Sequence, residues 1–174
     1  MTETYLKMLN RSSKLFLQLA ETEKSAIKRK SFALSVVINS WVLLEAYVNY
    51  LAEILAKAKI EAHEKALLLD KELRLNDDGV FIEVRSHSPT SKRILFILRR
   101  FSDKDVGEFR KSTVWEEVQR CEKFRNDLIH PKTLTSKYLD HQITIKISEH
   151  FRTSIISLIK ILNKNVLNKE IFLD

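Results

Sequence analysis

Apolar residues recur along this chain at intervals of three and four over most of its length, the spacing that lines one face of an α-helix. Leu6, Leu9, Leu15, Phe16 and Leu19 form such a stripe and predict an amphipathic first helix, with the polar run Asn10, Arg11, Ser12 and Ser13 as its point of interruption. A second helix is expected over residues 22–58, where no breaker intervenes, and a shorter third over residues 60–73. The period then changes. Residues 73–75, the polar Asn76, Asp77, Asp78 and Gly79, and residues 80–84 read as strand, turn and strand. That pattern fits a short β-hairpin or an irregular loop insertion near residues 73–85, since a lone two-stranded hairpin is marginal unless it packs on something. Ser88 as N-cap and Pro89 at the first helical position would open a helix over residues 90–101, with Ile94, Leu95, Ile97, Leu98 and Phe101 inward. Another helix is expected over residues 112–129, ended by Pro131, because the residue before a proline is pushed out of the α region. A polar connector at 133–141 leads to a last helix over 143–167, striped by Ile147, Phe151, Ile155, Leu158 and Leu162.

Composition narrows the fold class. The chain has two glycines and two prolines in 174 residues, too few for the tight turns of sandwiches and barrels. With no repeat, low-complexity tract or linker, the expectation is one domain over residues 1–174, an all-α bundle of about five or six helices. The net charge of +7 and a pI near 9.5 favour a polyanionic partner, of which nucleic acid is the commonest, although a positive surface also simply confers solubility. Cys121 is the only cysteine, so no internal disulfide can form and a reducing cytoplasm is the expected compartment. The first residues lack the basic start and apolar stretch of a signal peptide. Residues 32–55 are strongly apolar but interrupted by Asn39, Glu45, Asn49 and Glu53. An acidic group at mid-membrane costs roughly 2.5–3.5 kcal/mol, so this segment reads as a helix buried in a bundle or dimer rather than a membrane span.

One position breaks the pattern in a way that invites chemistry. Val114, Val118 and Cys121 form the buried stripe of the helix over 112–129, and the next steps of four and three fall on Arg125 and Leu128. A guanidinium stands where the stripe needs an apolar residue, and such a group must be paired or face water. Glu45 and Asn49, one turn apart on the apolar second helix, are the candidate partners, the simplest arrangement pairing Glu45 with Arg125. His130 follows five positions later, about 140° around an ideal helix, and the proline-terminated end with the long arginine stem can bring both to one cleft. With Asn126 they form a set able to bind and process a phosphodiester: histidine moves protons near neutrality, and arginine neutralises charge on phosphoryl oxygens. The plain alternatives are a structural ion pair for Arg125 and a helix-end hydrogen bond for His130.

The run Arg125-Asn126-x-x-x-His130 resembles the R-x4-6-H motif of HEPN domains, small helical bundles in which arginine is most often followed directly by asparagine. The segment around Trp41, Glu45 and Asn49 is similar to that family's acidic position on an earlier long helix. The resemblance implies a HEPN-like bundle and a metal-independent endoribonuclease of toxin–antitoxin or antiviral defence type. It implies attack of a ribose 2′-OH on the adjacent phosphate, and a homodimer whose two motifs share one cleft. By position, His130 would be the acid/base, Arg125 the charge stabiliser and Asn126 a polar helper, with Glu45 and Asn49 in support. A cognate antitoxin is an implied partner besides RNA. One subgroup of the family carries a modifiable tyrosine two residues after the histidine; Lys132 stands there in this chain. The alternative within the resemblance is a non-catalytic module that binds RNA or a protein partner.

Remaining candidates carry less. Lys92, Arg93, Arg99, Arg100 and Lys132 are basic residues that could track RNA phosphates, while a charge run on a helix is commonly its solvated face. His63, His87, His141 and His150 pair with no second ligand at metal spacing, so no metal or other cofactor is assigned. Trp41, Tyr47 and Tyr50 lie within the apolar run and read as core or dimer contacts, and Cys121 as a small core residue. Gly-rich phosphate loops, nucleophile elbows and dinucleotide fingerprints are all missing from the sequence, which removes nucleotide hydrolases and serine esterases.

Overall fold

Long stretches without glycine or proline become long helices. A computed structural model describes residues 3–86, 88–129 and 143–168. Helix α1 (Glu3–Thr22) and helix α2 (Ala26–Leu55) fold back on each other through a short turn in which Glu23 Oε1 accepts the Ser25 N–H at 2.8 Å. Helix α3 (Ala62–Leu68) begins with a reciprocal capping box between Glu61 and Glu64. Strands β1 (Lys71–Leu75) and β2 (Phe81–Arg85) then pair antiparallel, from Lys71 opposite Arg85 to Leu75 opposite Phe81. Helices α4 (Thr90–Phe101), α5 (Val106–Arg110), α6 (Thr113–Ile129) and α7 (Ile145–Leu162) follow, the last continuing into a π-helical turn at Asn163–Leu167.

The fold is mostly helical with one small two-stranded sheet. Its core gathers Leu43, Leu44 and Leu51 of α2, Ile94 and Ile97 of α4, Trp115 and Val118 of α6, and Ile155 and Leu158 of α7. Helix α2 runs through the middle. It is long and apolar enough to cross a membrane by length and composition, and 56% of its most apolar stretch is buried among the other helices, which uses much of that hydrophobicity in the core.

The segment near residues 73–85 is a hairpin. Asn76 Oδ1 accepts the N–H groups of Asp78 (3.1 Å) and Val80 (2.8 Å), and Gly79 takes φ +74°, a conformation natural to glycine in such turns. Lys71 and Glu83 form an ion pair across the strands.

Several expectations need correction. Helix α1 runs unbroken through Asn10 and Ser13, because both are buried and bound by Arg152 of α7. Its Nη2 donates to Asn10 Oδ1 at 2.7 Å and its Nε to Ser13 Oγ at 3.0 Å. Leu15 and Leu19 are exposed with Tyr5 and Met8, so α1 carries a second apolar strip, roughly 110° around from the buried Leu6, Leu9 and Ala20. Pro89, at φ −52° and ψ 136°, is the residue flanking α4, so the Ser88 cap lies one position too early. Asp105 caps α5, which periodicity missed, its Oδ1 accepting from Gly107 and Glu108 at 2.6 and 3.1 Å. The expected stop at Pro131 and the connector at 133–141 lie outside the described residues.

Candidate functional site

On α2 a spacing of four places Trp41, Glu45 and Asn49 along one face of the helix. The Trp41 indole N–H donates to Glu45 Oε1 at 2.7 Å, so the carboxylate is oriented from within its own helix. On α6 the inward stripe runs through Val118 and Cys121 to Arg125. The side chain of Arg125 crosses toward α2 and sets Nη2 at 3.7 Å from Glu45 Oε1. That distance is an ion pair without a hydrogen bond. Arg125 Nη1 donates to Asn126 Oδ1 at 3.0 Å, while the buried Nε has no hydrogen-bond partner among the described residues. The two side chains are 26% and 34% exposed, so the pair sits at the edge of the core with a face toward water. Its apolar wall is aromatic: Trp41 meets Phe151 edge-on at 6.4 Å, and Phe151 meets Phe124 at 6.4 Å.

This arrangement offers an anchored carboxylate and a partly exposed guanidinium with donors left over, which suits an anionic ligand. His130 and Lys132 lie outside the described residues, as do His87 and His141. Asn49 is not joined to Arg125. Its Oδ1 accepts from Arg93 Nη1 at 2.8 Å. Arg93 is itself a correction: it is only 5% exposed, not on a solvated face, with Nη1 at 2.9 Å from Asp70 Oδ2 and Nη2 at 2.7 Å from the Leu68 carbonyl. Lys92 and Arg99 are exposed on α4, and Arg100 is exposed but held by Glu64 at 2.9 Å.

The burial of Arg93 was readable. It lies four before Ile97 and three after Thr90, on the inward stripe of α4, by the same reasoning that singles out Arg125. Asp70 and Arg152 gave no comparable signal, since each meets its partner across a long sequence separation.

Cys121 is buried, and burial with the nearby Glu117 charge pushes its thiol up to about 12, as befits a core residue rather than a nucleophile. A groove of about 440 Å³ opens between α6 and α7, lined by Lys123, Phe124, Asp127, Ile147 and His150 among others. His150 Nε2 stands 2.8 Å from Glu117 Oε2 there. Arg125 does not line this groove, although Phe124 and Phe151, the aromatic wall of the candidate site, do. Compared with known protein families, curated proteins and solved structures, the chain matches none.

Proposed function

We propose that this chain is a HEPN-like, metal-independent endoribonuclease of toxin or antiviral-defence type, acting as a homodimer in the cytoplasm. The observation that carries the reading is Arg125. It interrupts a buried stripe, is paired with Glu45 through Nη2 without a hydrogen bond, and stays partly exposed, so that Nη2 can turn to an anion. In the reaction the ribose 2′-oxygen attacks the adjacent phosphorus and the bond to the 5′-oxygen breaks. The products are a 2′,3′-cyclic phosphate and a 5′-OH. A base takes the 2′-OH proton and an acid supplies one to the leaving oxygen, the work assigned to His130. Arg125 neutralises the charge that grows on the phosphoryl oxygens, and a donor so placed is commonly worth 10²–10³ in rate, about 3–4 kcal/mol. Glu45 orients Arg125 and Asn126 holds one of its nitrogens. Exposed Lys92 and Arg99, with Lys132, supply phosphate contacts of salt-dependent strength.

Wild type, Arg125→Ala and His130→Ala are compared on total RNA and a labelled single-stranded oligonucleotide with EDTA throughout. Cleavage to cyclic-phosphate ends by wild type, abolished in both variants while circular dichroism stays helical, is the expected result. A folded wild type that binds the oligonucleotide without cutting it would replace the nuclease with a non-catalytic RNA-binding module.

A further inference from the structure

The groove between α6 and α7 is apolar in its depth and charged at its rim. The buried Cys121 and Phe151 line it together with the half-buried ring of Phe124 from α6 and Ile147, 39% exposed, from α7. Its volume of about 440 Å³ lies in the range of small-molecule sites. Toward the start of α6 the charged groups are already engaged. Glu117 accepts from Arg120 Nη1 at 2.9 Å and meets His150 Nε2 at 2.8 Å, while Arg120 Nη2 goes to Glu116. Toward the end of α6, Lys123 and Asp127 also line the groove, both exposed and neither joined to a partner among the described residues. That leftover pair stands against two local preferences. Lysine before an acid is the weaker order for an ion pair one turn apart, and an acid in the last turn faces the negative end of the helix dipole.

We infer that this groove holds an unstacked guanine base of single-stranded RNA, with Phe124 as the stacking platform and Lys123 and Asp127 reading the base edge. Unpaired bases are recognised by stacking on aromatic rings and by hydrogen bonds to their Watson–Crick edges. Guanine alone among the four sets an acceptor, O6, beside two donors, N1–H and N2–H. A carboxylate accepts from both donors at once, and a lysine ammonium donates to the oxygen. Residues four apart on a helix hold their Cβ atoms roughly 5–6 Å apart, a span that one base edge bridges. Adenine and cytosine offer the carboxylate one amino group, and uracil one N–H. The occupant is a base within a strand, because the groove keeps no spare cation for the terminal phosphate of a free nucleotide: Arg120 is tied to two glutamates and Lys123 faces the base. A strand is held by its other phosphates on a chain of net charge +7. Phe124 directly precedes Arg125, and with Phe151 it also walls the Glu45–Arg125 pair, so both places share these rings. The inference rests on the ribonuclease reading and gives that enzyme a base preference.

Fluorescein-labelled oligouridines with 2′-O-methyl riboses, which the 2′-OH reaction cannot cut, carry one guanine, one hypoxanthine or no purine. Hypoxanthine lacks only the 2-amino group. In anisotropy titrations wild type is expected to bind the guanine strand about tenfold more tightly than the hypoxanthine strand. Asp127→Asn, a change at an exposed position that leaves circular dichroism intact, brings the two strands to equal affinity. Phe124→Leu, folded by the same criterion, weakens the guanine strand about tenfold by removing the stacking ring. Guanosine monophosphate is titrated separately by calorimetry. Equal affinity for the guanine and hypoxanthine strands in wild type, or a preference that survives Asp127→Asn, overturns the inference and leaves the ribonuclease reading standing. Binding of the free nucleotide, lost in Asp127→Asn and without any preference among strands, overturns it in favour of a nucleotide site. No binding of any strand overturns both. On natural RNA, wild type is expected to cut at a fixed distance from guanine, and a guanine preference in binding without cleavage refutes the ribonuclease reading alone.

Discussion

Replacing Arg125 with leucine separates a residue kept for stability from one kept for chemistry. At 3.7 Å, two unit charges attract by about 4.5 kcal/mol at an effective dielectric of about 20, and by about 1 kcal/mol in water. Both partners are a quarter to a third exposed, and screened pairs of that kind contribute a net of about 0–1 kcal/mol. Leucine at the same place would complete the stripe begun by Val118 and Cys121. Full burial of leucine is worth roughly 1.5–3 kcal/mol, but the arginine stem already covers part of that surface, which leaves a gain of about 1 kcal/mol. Glu45 would not be stranded, since Trp41 still donates to it and water reaches it. The two effects nearly cancel. Arg125→Leu should therefore change stability by no more than about 1 kcal/mol, roughly 2–4 °C in Tm for a chain of this size. Urea and thermal unfolding by circular dichroism read the stability, and the EDTA cleavage assay reads the proposed ribonuclease activity, which should be lost. A destabilisation beyond about 3 kcal/mol, the cost of breaking a buried pair, would refute this reasoning and make Arg125 a structural residue.

Arg152 makes the opposite case: it is half-buried, and its hydrogen-bond acceptors are the neutral Asn10 and Ser13 of α1. Arg152→Met should cost about 2–3 kcal/mol in urea unfolding, and a neutral result would show that water replaces both bonds. The Glu83 carboxyl is held below its ordinary 4.5 by the hydrogen bond and charge of Lys71, so its contribution is present above that pH and lost as pH falls through the lower folded value. Amide exchange across β1 and β2 should accelerate in that acid range; protection unchanged there would show that the pair does not hold the hairpin. The thiol of Cys121 should resist a disulfide reagent at pH 8 in native protein and react on unfolding, and rapid native labelling would contradict its burial.

The helices were legible because long runs with a period near 3.6 leave little choice of structure, and α4 begins and ends at the residues its pattern indicates. The hairpin was ambiguous because its side chains face water on both sides, so no alternation between core and solvent marked it. Apart from the short α5 and the exposed Leu15 and Leu19, the failures fell on polar residues. Asn10 and Ser13 looked like a helix break, since nothing local shows that an arginine far along the chain would meet them. At the candidate site, Arg125 was found by its misfit in an apolar stripe. Arg93 was assigned to the surface although it fits the inward stripe of α4, because a charge is assumed to be solvated until its partners are seen. Its partner Asp70 lies in a backbone conformation that composition does not announce.

Helix α7 has a consequence for how the molecule is made. It packs along α2 and α6, supplies Phe151 to the aromatic wall between Trp41 and Phe124, and binds α1 through Arg152. During vectorial synthesis α1 and α2 can pair as soon as they leave the ribosome, yet the seam holding Glu45 and Arg125 lacks a side until α7 emerges. A nascent chain therefore keeps the α7-facing side of α2 uncovered until α7 has emerged, and only then is the Glu45–Arg125 pair walled on that side. Messages truncated before α7 would yield a chain for chaperones or proteases rather than a closed core.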